Sequence, residues 1–148
     1  MKIVIQRSKE ASVTVDNEVI GQIEKGMVIL VGFTYNDTIE DIDYMINKII
    51  NMRIYDDENG VMNKSILDVG GSILSISQFT LYADPYNGRR PSYTAALKGE
   101  EAIKLYDLFN ERLSKHIHVE TGKFGADMKV TFTNDGPVTI LLESRKNV

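Results

Sequence analysis

Met27–Phe33 reads Met-Val-Ile-Leu-Val-Gly-Phe, with no polar side chain in it. An apolar run of this length that does not alternate marks a strand buried on both faces. It is far too short to cross a bilayer, which takes about 20 apolar residues. A strand buried on both faces exists only inside a packed domain, and the chain has the means to build one. Its 148 residues are 43% hydrophobic and 26% charged, ordinary values for a globular domain. A domain of that size buries roughly two-thirds of the surface its unfolded chain exposes. There is no cysteine, so no disulfide staples the chain, and this fits a reducing cytoplasm. Met1-Lys2-Ile3-Val4-Ile5 is followed at once by Gln6, Arg7 and Lys9, which breaks the apolar stretch a secretory signal needs. The expectation is a cytoplasmic single domain spanning 1–148; membrane-spanning, secreted, collagenous and disordered classes are set aside.

Lys and Arg number 17 against 21 Asp and Glu, a net charge of −4. A protein that coats nucleic acid through counterion release is usually basic. Indiscriminate binding to long duplexes is therefore not expected, whereas a local basic patch that grips one end of an RNA remains compatible with this balance.

Strands open the chain. Lys2–Gln6 is rich in β-formers; Ala11, Val13 and Val15 alternate with Ser12 and Thr14; Asp16-Asn17 turns into Glu18–Ile23. A helix follows, capped by Asp37 or Thr38, with Glu40 and Asp41 where the macrodipole favours acids. Ile42, Met45, Ile46, Ile49 and Ile50 share one face of it. Asp56–Gly60 is a turn between Arg53–Tyr55 and Val61–Lys64, and Gly70-Gly71 precedes a strand predicted over Ser72–Tyr82. A loop, Ala83–Ser92, leads to a second helix over about Gly99–Lys115, with Ala102, Leu105, Tyr106, Phe109 and Leu113 on its buried stripe. Met128, Val130 and Phe132 alternate with polar residues, Asn134-Asp135-Gly136-Pro137 turns, and Val138–Glu143 runs back. Ser144–Val148 is expected to be a frayed polar tail. The order of elements predicts an α+β fold: a single small domain with a curved, barrel-like, mainly antiparallel sheet and two long helices.

The inventory of chemistry is short. There is no Cys nucleophile, no G-x-S-x-G elbow, no Walker phosphate loop and no G-x-G-x-x-G. The two histidines, His116 and His118, have a spacing that fits metal ligands on one strand face. A surface pair behind a helix C-terminus is the favoured reading. Nothing ties either His to a particular Ser, which argues against an ordinary serine hydrolase. Asp56-Asp57-Glu58 lacks EF-hand spacing. No metal site and no cofactor are expected. Three polar segments stand out against packing logic: Ser77-Gln78-Phe79-Thr80-Leu81, Gly88-Arg89-Arg90-Pro91-Ser92-Tyr93, and Asn134-Asp135-Gly136-Pro137-Val138-Thr139. Each taken alone reads as a half-exposed strand, a solvated loop or a β-turn. The Gly136–Pro137 bond is a candidate for the cis form, which is only slightly unfavourable before proline.

Taken in order, Gln6-Arg7, Ala11-Ser12-Val13, Ser77–Leu81, Arg90-Pro91-Ser92, Thr121–Met128 and Asn134–Thr139 resemble the D-aminoacyl-tRNA deacylase family from Met1 to about Glu143. S-Q-F-T-L and N-x-G-P-V-T are the most specific of these signatures. The resemblance implies a homodimeric, metal-independent hydrolase of the ester between a D-amino acid and the 3′-terminal adenosine of tRNA, which also removes mischarged glycine. Ser77, Gln78, Phe79 and Thr80 would line the catalytic pocket, where backbone N–H groups stabilise the oxyanion. Gly136 and Pro137 would enter the pocket of the other subunit as the chiral selector, held in place by Arg7. Phe124, Gly125 and Met128 match a segment near the terminal adenosine, with Phe124 stacked on its base. Arg90 would meet a phosphate of the acceptor end; the family shows one arginine in that motif, which leaves Arg89 without a role.

Two routes of ester cleavage stay open: the Thr80 hydroxyl as nucleophile, and water activated with help from the vicinal 2′-hydroxyl. The second is favoured because no His is available to activate Thr80. The alternative function is a non-catalytic nucleic-acid-binding dimer. The acidic balance, and a chain that ends at Lys146-Asn147-Val148 soon after its final strand, argue against a DNA-binding role.

Overall fold

The computed structural model describes residues 1–145. The first strand, β1 (Lys2–Val15), turns through Asp16 and Asn17, with φ of 49° and 65°, into β2 (Glu18–Ile23). Left-handed backbone at both central residues is what a two-residue hairpin needs to match the twist of its strands. The chain continues through β3 (Gly26–Gly32), α1 (Ile39–Asn51), a small hairpin of β4 (Tyr55–Asp56) and β5 (Met62–Lys64), β6 (Ser72–Ser77), a 3₁₀ turn (Phe79–Tyr82), α2 (Gly99–Leu113), β7 (Val119–Thr121) and β8 (Lys129–Glu143).

The long β1 organises the sheet. One edge pairs antiparallel with β3 along Lys2–Ser8 and with β2 along Ala11–Val15, while the other pairs antiparallel with β8. Beyond β3 the sheet turns parallel, β3 to β6 and β6 to β7, with α1 and α2 in the two crossovers. The sheet is thus mixed, and it curls until its ends meet. A Cβ added at Gly21 in β2 would lie 2.7 Å from the Thr121 carbonyl in β7, so glycine permits the close approach that nearly closes the barrel.

Two cores follow from the two faces of β3. Met27, Ile29 and Val31 pack with Ile42, Met45 and Ile49 of α1 and Tyr106, Phe109 and Leu113 of α2. Val28 packs inside the barrel with Val13, Ile23, Leu74 and Ile76. The apolar run is buried on both sides, as its sequence requires. On α1 the buried residues are the five read from the periodicity, and the Asp41 carboxylate accepts the Thr38 amide at 2.8 Å. A fully buried Ile or Met contributes about 1.5–3 kcal/mol, so this one helical face outweighs its caps.

Four expectations need correction. The separate strands at Lys2–Gln6 and Ala11–Val15 are one, because register shifts between Gln6 and Ala11 absorb the polar break around Lys9 and Glu10. The strand predicted over Ser72–Tyr82 ends at Ser77. Asn134–Pro137 does not reverse the chain: Gln6 pairs with Thr139 and Ser8 with Asn134, so 135–138 loop outward and the strand resumes along the same partner. Such a bulge adds residues to one strand without ending the ladder. Finally, Ser144 and Arg145 are not frayed. The Ser144 amide donates to Met1 O at 2.9 Å and Arg145 Nη2 to Asp37 Oδ1 at 2.6 Å. The rest of the expected tail, 146–148, lies outside the described residues. Among the described residues no helix is long and apolar enough to cross a membrane.

Candidate active site

Parallel strands leave a crevice at their carboxyl ends, the usual place for a ligand in sheets of this kind. A cavity of about 280 Å³ lies there, at the ends of β3 and β6. It is walled by the loop between β7 and β8 and by Leu97 and Ala102 at the start of α2. The end of β6 explains its shape. β3 stops at Gly32, so β6 loses its partner; the last ladder bond runs from the Gln78 amide to Val31 O at 2.7 Å. The chain then coils, with Leu81 N donating to Gln78 O at 3.3 Å and Ala83 N to Thr80 O at 3.0 Å. The first amides of such a turn have no partner within it. Among the described residues, the Phe79 and Thr80 amides donate to no backbone carbonyl outside the turn.

Ser77, Gln78 and Phe79 line the cavity from this side, and Phe124, Gly125 and Met128 line it from the other. The second wall is a tight loop in which Gly125 has φ 76° and the Ala126 amide donates to Lys123 O at 3.2 Å. Phe124 leans on Tyr106, ring centres 5.8 Å apart. The Tyr106 hydroxyl donates to Ser75 O at 2.8 Å, and burial pushes its phenol up from the usual range. That phenol is a support for the loop, held neutral. At the rim Phe79 meets Tyr93 edge-on at 5.3 Å, with the Lys98 ammonium over both rings.

Among the described residues, no side chain lining the cavity is ionisable. Thr80, beside it in the 3₁₀ turn, accepts a hydrogen bond on its hydroxyl from Gln78 Nε2. Neither histidine lines it: His118 Nε2 sits 2.9 Å from Glu120 Oε2, and His116 borders a groove between α1 and α2 with Arg112. Among the described residues no group of three or more His, Cys, Asp and Glu is placed to hold a metal ion. The cavity offers amide N–H groups, a serine hydroxyl and a carboxamide within apolar walls. It can position and polarise, and it carries no strong base of its own.

The third polar segment is elsewhere. The β8 bulge is held from beneath by Arg7, whose Nε donates to Asp135 O at 3.0 Å and whose Nη1 donates to Ile54 O at 2.8 Å. Arg7 is only 8% exposed, so these contacts fix its guanidinium. Asn134 closes the bulge from within, accepting the Val138 amide at 3.1 Å and donating to Thr139 Oγ1 at 2.8 Å. Gly136, at φ 128°, precedes Pro137 through a cis bond, and both residues are exposed. Neither lines the cavity of its own chain. Arg89 and Arg90 lie in a loop pinched where Asp84 and Ser92 exchange backbone hydrogen bonds of 2.8 and 2.9 Å. Both are exposed, and neither reaches the cavity lining. Val31, Gly32, Phe33, Ile76, Leu97, Ala102, Ala126 and Val130 complete the lining, and none of them stood among the candidate site residues. Only Gly32 carried a signal, because a glycine within a strand marks a close backbone approach.

A small α+β barrel with helices over one side and a polar but non-ionisable cavity at its strand ends defines the class of domain. The chain matches the family model described as D-Tyr-tRNA(Tyr) deacylase over residues 4–143. It is 59% identical over 146 residues to a D-aminoacyl-tRNA deacylase of Bacillus cytotoxicus, covering 98% of this chain and 100% of the relative. A D-aminoacyl-tRNA deacylase of Bacillus anthracis is 58% identical with the same coverage. A solved structure described as c-Myc DNA Unwinding Element Binding Protein has a TM-score of 0.93 and 42% identity over 99% of this chain and 100% of that one. A probable eukaryotic D-amino acid tRNA deacylase has a TM-score of 0.82 at 15% identity over 96% and 98% of the two chains, a likeness of fold alone. The chain belongs to the D-Tyr-tRNA(Tyr) deacylase family.

Proposed function

We propose that this chain hydrolyses the ester between a D-amino acid, or mischarged glycine, and the 3′-terminal adenosine of tRNA. The observation that carries this reading is the cavity at the end of β6: unpartnered Phe79 and Thr80 amides beside walls with no ionisable side chain. An aminoacyl ester is already reactive, so donors aimed at the developing oxyanion together with fixed geometry suffice. Water attacks the carbonyl carbon, the charge on the carbonyl oxygen falls to the two amides, and the C–O bond to the 3′-oxygen breaks. The vicinal 2′-hydroxyl assists the proton transfers, which the lining itself has no base to perform. Ser77 and Gln78 hold the sugar and ester, Phe124 stacks on the adenine beside Gly125 and Met128, and Arg90 meets an acceptor-end phosphate.

Stereochemical selection needs the β8 bulge of a second copy. In a single chain Leu141 is 75% exposed and Val130, Phe132, Val138, Ile140 and Leu142 are only half-buried. The outer edge of β8 pairs with no strand among the described residues. An unpaired apolar edge of this length calls for a cover, and a homodimer supplies one. Gly136 and Pro137 of the partner subunit then present backbone to the substrate's α-carbon. An L-amino acid held by the same contacts points its Cβ into that backbone, whereas a D-residue points it away and glycine has none.

A second reading, binding to DNA without turnover, is favoured by the name of the structural relative at 42% identity; the net charge of −4 counts against it. Deacylation of D-Tyr-tRNA and L-Tyr-tRNA, measured beside retardation of a DNA duplex, separates the two. Turnover of the D-ester alone is expected. Duplex binding without turnover would overturn the enzymatic reading.

A further inference from the structure

Gly32 ends β3 with ordinary strand backbone, so its glycine is not needed for an unusual φ. What it provides is space. A Cβ built there would lie 2.9 Å from the Gln78 carbonyl oxygen, 3.2 Å from Leu81 Cβ and 3.5 Å from Leu81 Cδ1. The first of these is shorter than real Cβ contacts allow, and the obstacle is backbone that cannot swing aside like a side-chain tip. That carbonyl accepts the Leu81 amide at 3.3 Å, the bond that closes the 3₁₀ turn.

The Gln78 carbonyl and the Phe79 N–H belong to one planar peptide unit. Pushing the oxygen away from β3 therefore swings the N–H on the opposite side. The preceding unit, Ser77–Gln78, is pinned by the Gln78 amide on Val31 O at 2.7 Å, which fixes the Gln78 end of this one. The Gln78–Phe79 unit can relieve a contact at Gly32 only by rotating. We propose that Gly32 is a positioning residue of the reaction: its missing side chain sets the direction of the Phe79 N–H into the cavity. This rests on the reading of the Phe79 and Thr80 amides as oxyanion donors.

The test compares two glycines that both abut a backbone carbonyl. Gly32→Ala crowds Gln78 O, and Gly21→Ala crowds Thr121 O at 2.7 Å on the barrel seam, away from the cavity. For each variant, melting temperature, kcat and KM with D-Tyr-tRNA, and the Kd of an unreactive 3′-amide-linked D-tyrosyl-adenosine are measured. Gly32→Ala is expected to lower kcat by about tenfold or more with KM and Kd within about threefold. Gly21→Ala is expected to lower the melting temperature while the kcat of folded protein holds within about threefold. A Gly32→Ala enzyme with native kcat, or one that loses binding in step with rate, overturns the inference. Where Gly32→Ala alone does not fold, Gly32→Ala/Leu81→Ala removes the Leu81 side chain beyond Cβ and keeps the Gln78 contact; low kcat supports the inference and native kcat overturns it. A wild-type chain that leaves D-Tyr-tRNA intact overturns the functional reading, and this inference with it. An active wild type beside an unimpaired Gly32→Ala overturns this inference alone.

Discussion

The cavity at the strand ends and the bulge of β8 are built by opposite means. The cavity is shaped by backbone: a ladder that runs out at Val31, a 3₁₀ turn packed on Gly32, and a loop turned by Gly125. The bulge is shaped by side chains, with Arg7 gripping Asp135 and Ile54 from below and Asn134 bridging its neck. A backbone-built pocket holds its donors rigidly but has little chemistry. A clamped bulge can project unpaired backbone away from its own sheet. The contrast fits a division of labour in which one region performs the hydrolysis and the other chooses the stereochemistry.

That division can be broken first on the chemical side. A D-Tyr-tRNA ending in 2′-deoxyadenosine is expected to be cut on the order of 10²–10⁴-fold more slowly, the usual weight of proton-transfer assistance. Normal turnover in a single-turnover assay would show that the protein supplies the missing base. Phe79→Pro deletes one proposed donor at the first position of a turn, where proline fits and no turn bond is lost. It is expected to lower kcat by about 10²–10³-fold while melting temperature changes little, as calorimetry on the same sample would verify.

The bulge is tested by Gly136→Ala. Its Cβ would lie 2.8 Å from Val138 Cγ2 and 3.1 Å from Arg7 Nη2, at a φ of 128° that L side chains rarely adopt. D-Tyr-tRNA turnover should drop by about tenfold or more through misplacement of the selector, with the affinity of free adenosine for the cavity unchanged. Equal loss of both would merge the two regions into one site. The smallest effect is expected from Thr80→Ala, because its hydroxyl has a carboxamide beside it and no base. A kcat loss below about tenfold is anticipated, and a loss of several orders would make Thr80 the nucleophile after all.

The same two regions differ in how they could be read from residues. Ile42, Met45, Ile46, Ile49 and Ile50 announce α1 through spacing alone, and the unbroken run at Met27–Phe33 announces a strand between two cores. Asp16-Asn17 announces its hairpin because few residues tolerate positive φ. The 3₁₀ turn was illegible since Phe79–Tyr82 suits a strand locally; β6 ends because its neighbour does, a tertiary cause. The bulge had turn chemistry in Asn134–Pro137, but whether the chain then reverses or resumes depends on pairing with β1. Of the cavity, short motifs revealed Ser77–Phe79 and Phe124–Met128. Ala102 of α2 and Leu97 just before that helix arrive from elsewhere in the chain and carry no signature of a site.

The central claim is that a working site takes its cavity from one subunit and its bulge from the other. Complementation tests it directly. Phe79→Pro and Gly136→Ala chains, each nearly inactive alone, are co-expressed with different tags and assayed together on D-Tyr-tRNA. In a two-fold dimer each mixed pair holds one site with both parts intact, so random pairing should restore about a quarter of wild-type activity. Purified mixed dimers that are no more active than either parent would contradict the account, placing cavity and bulge in the service of the same chain.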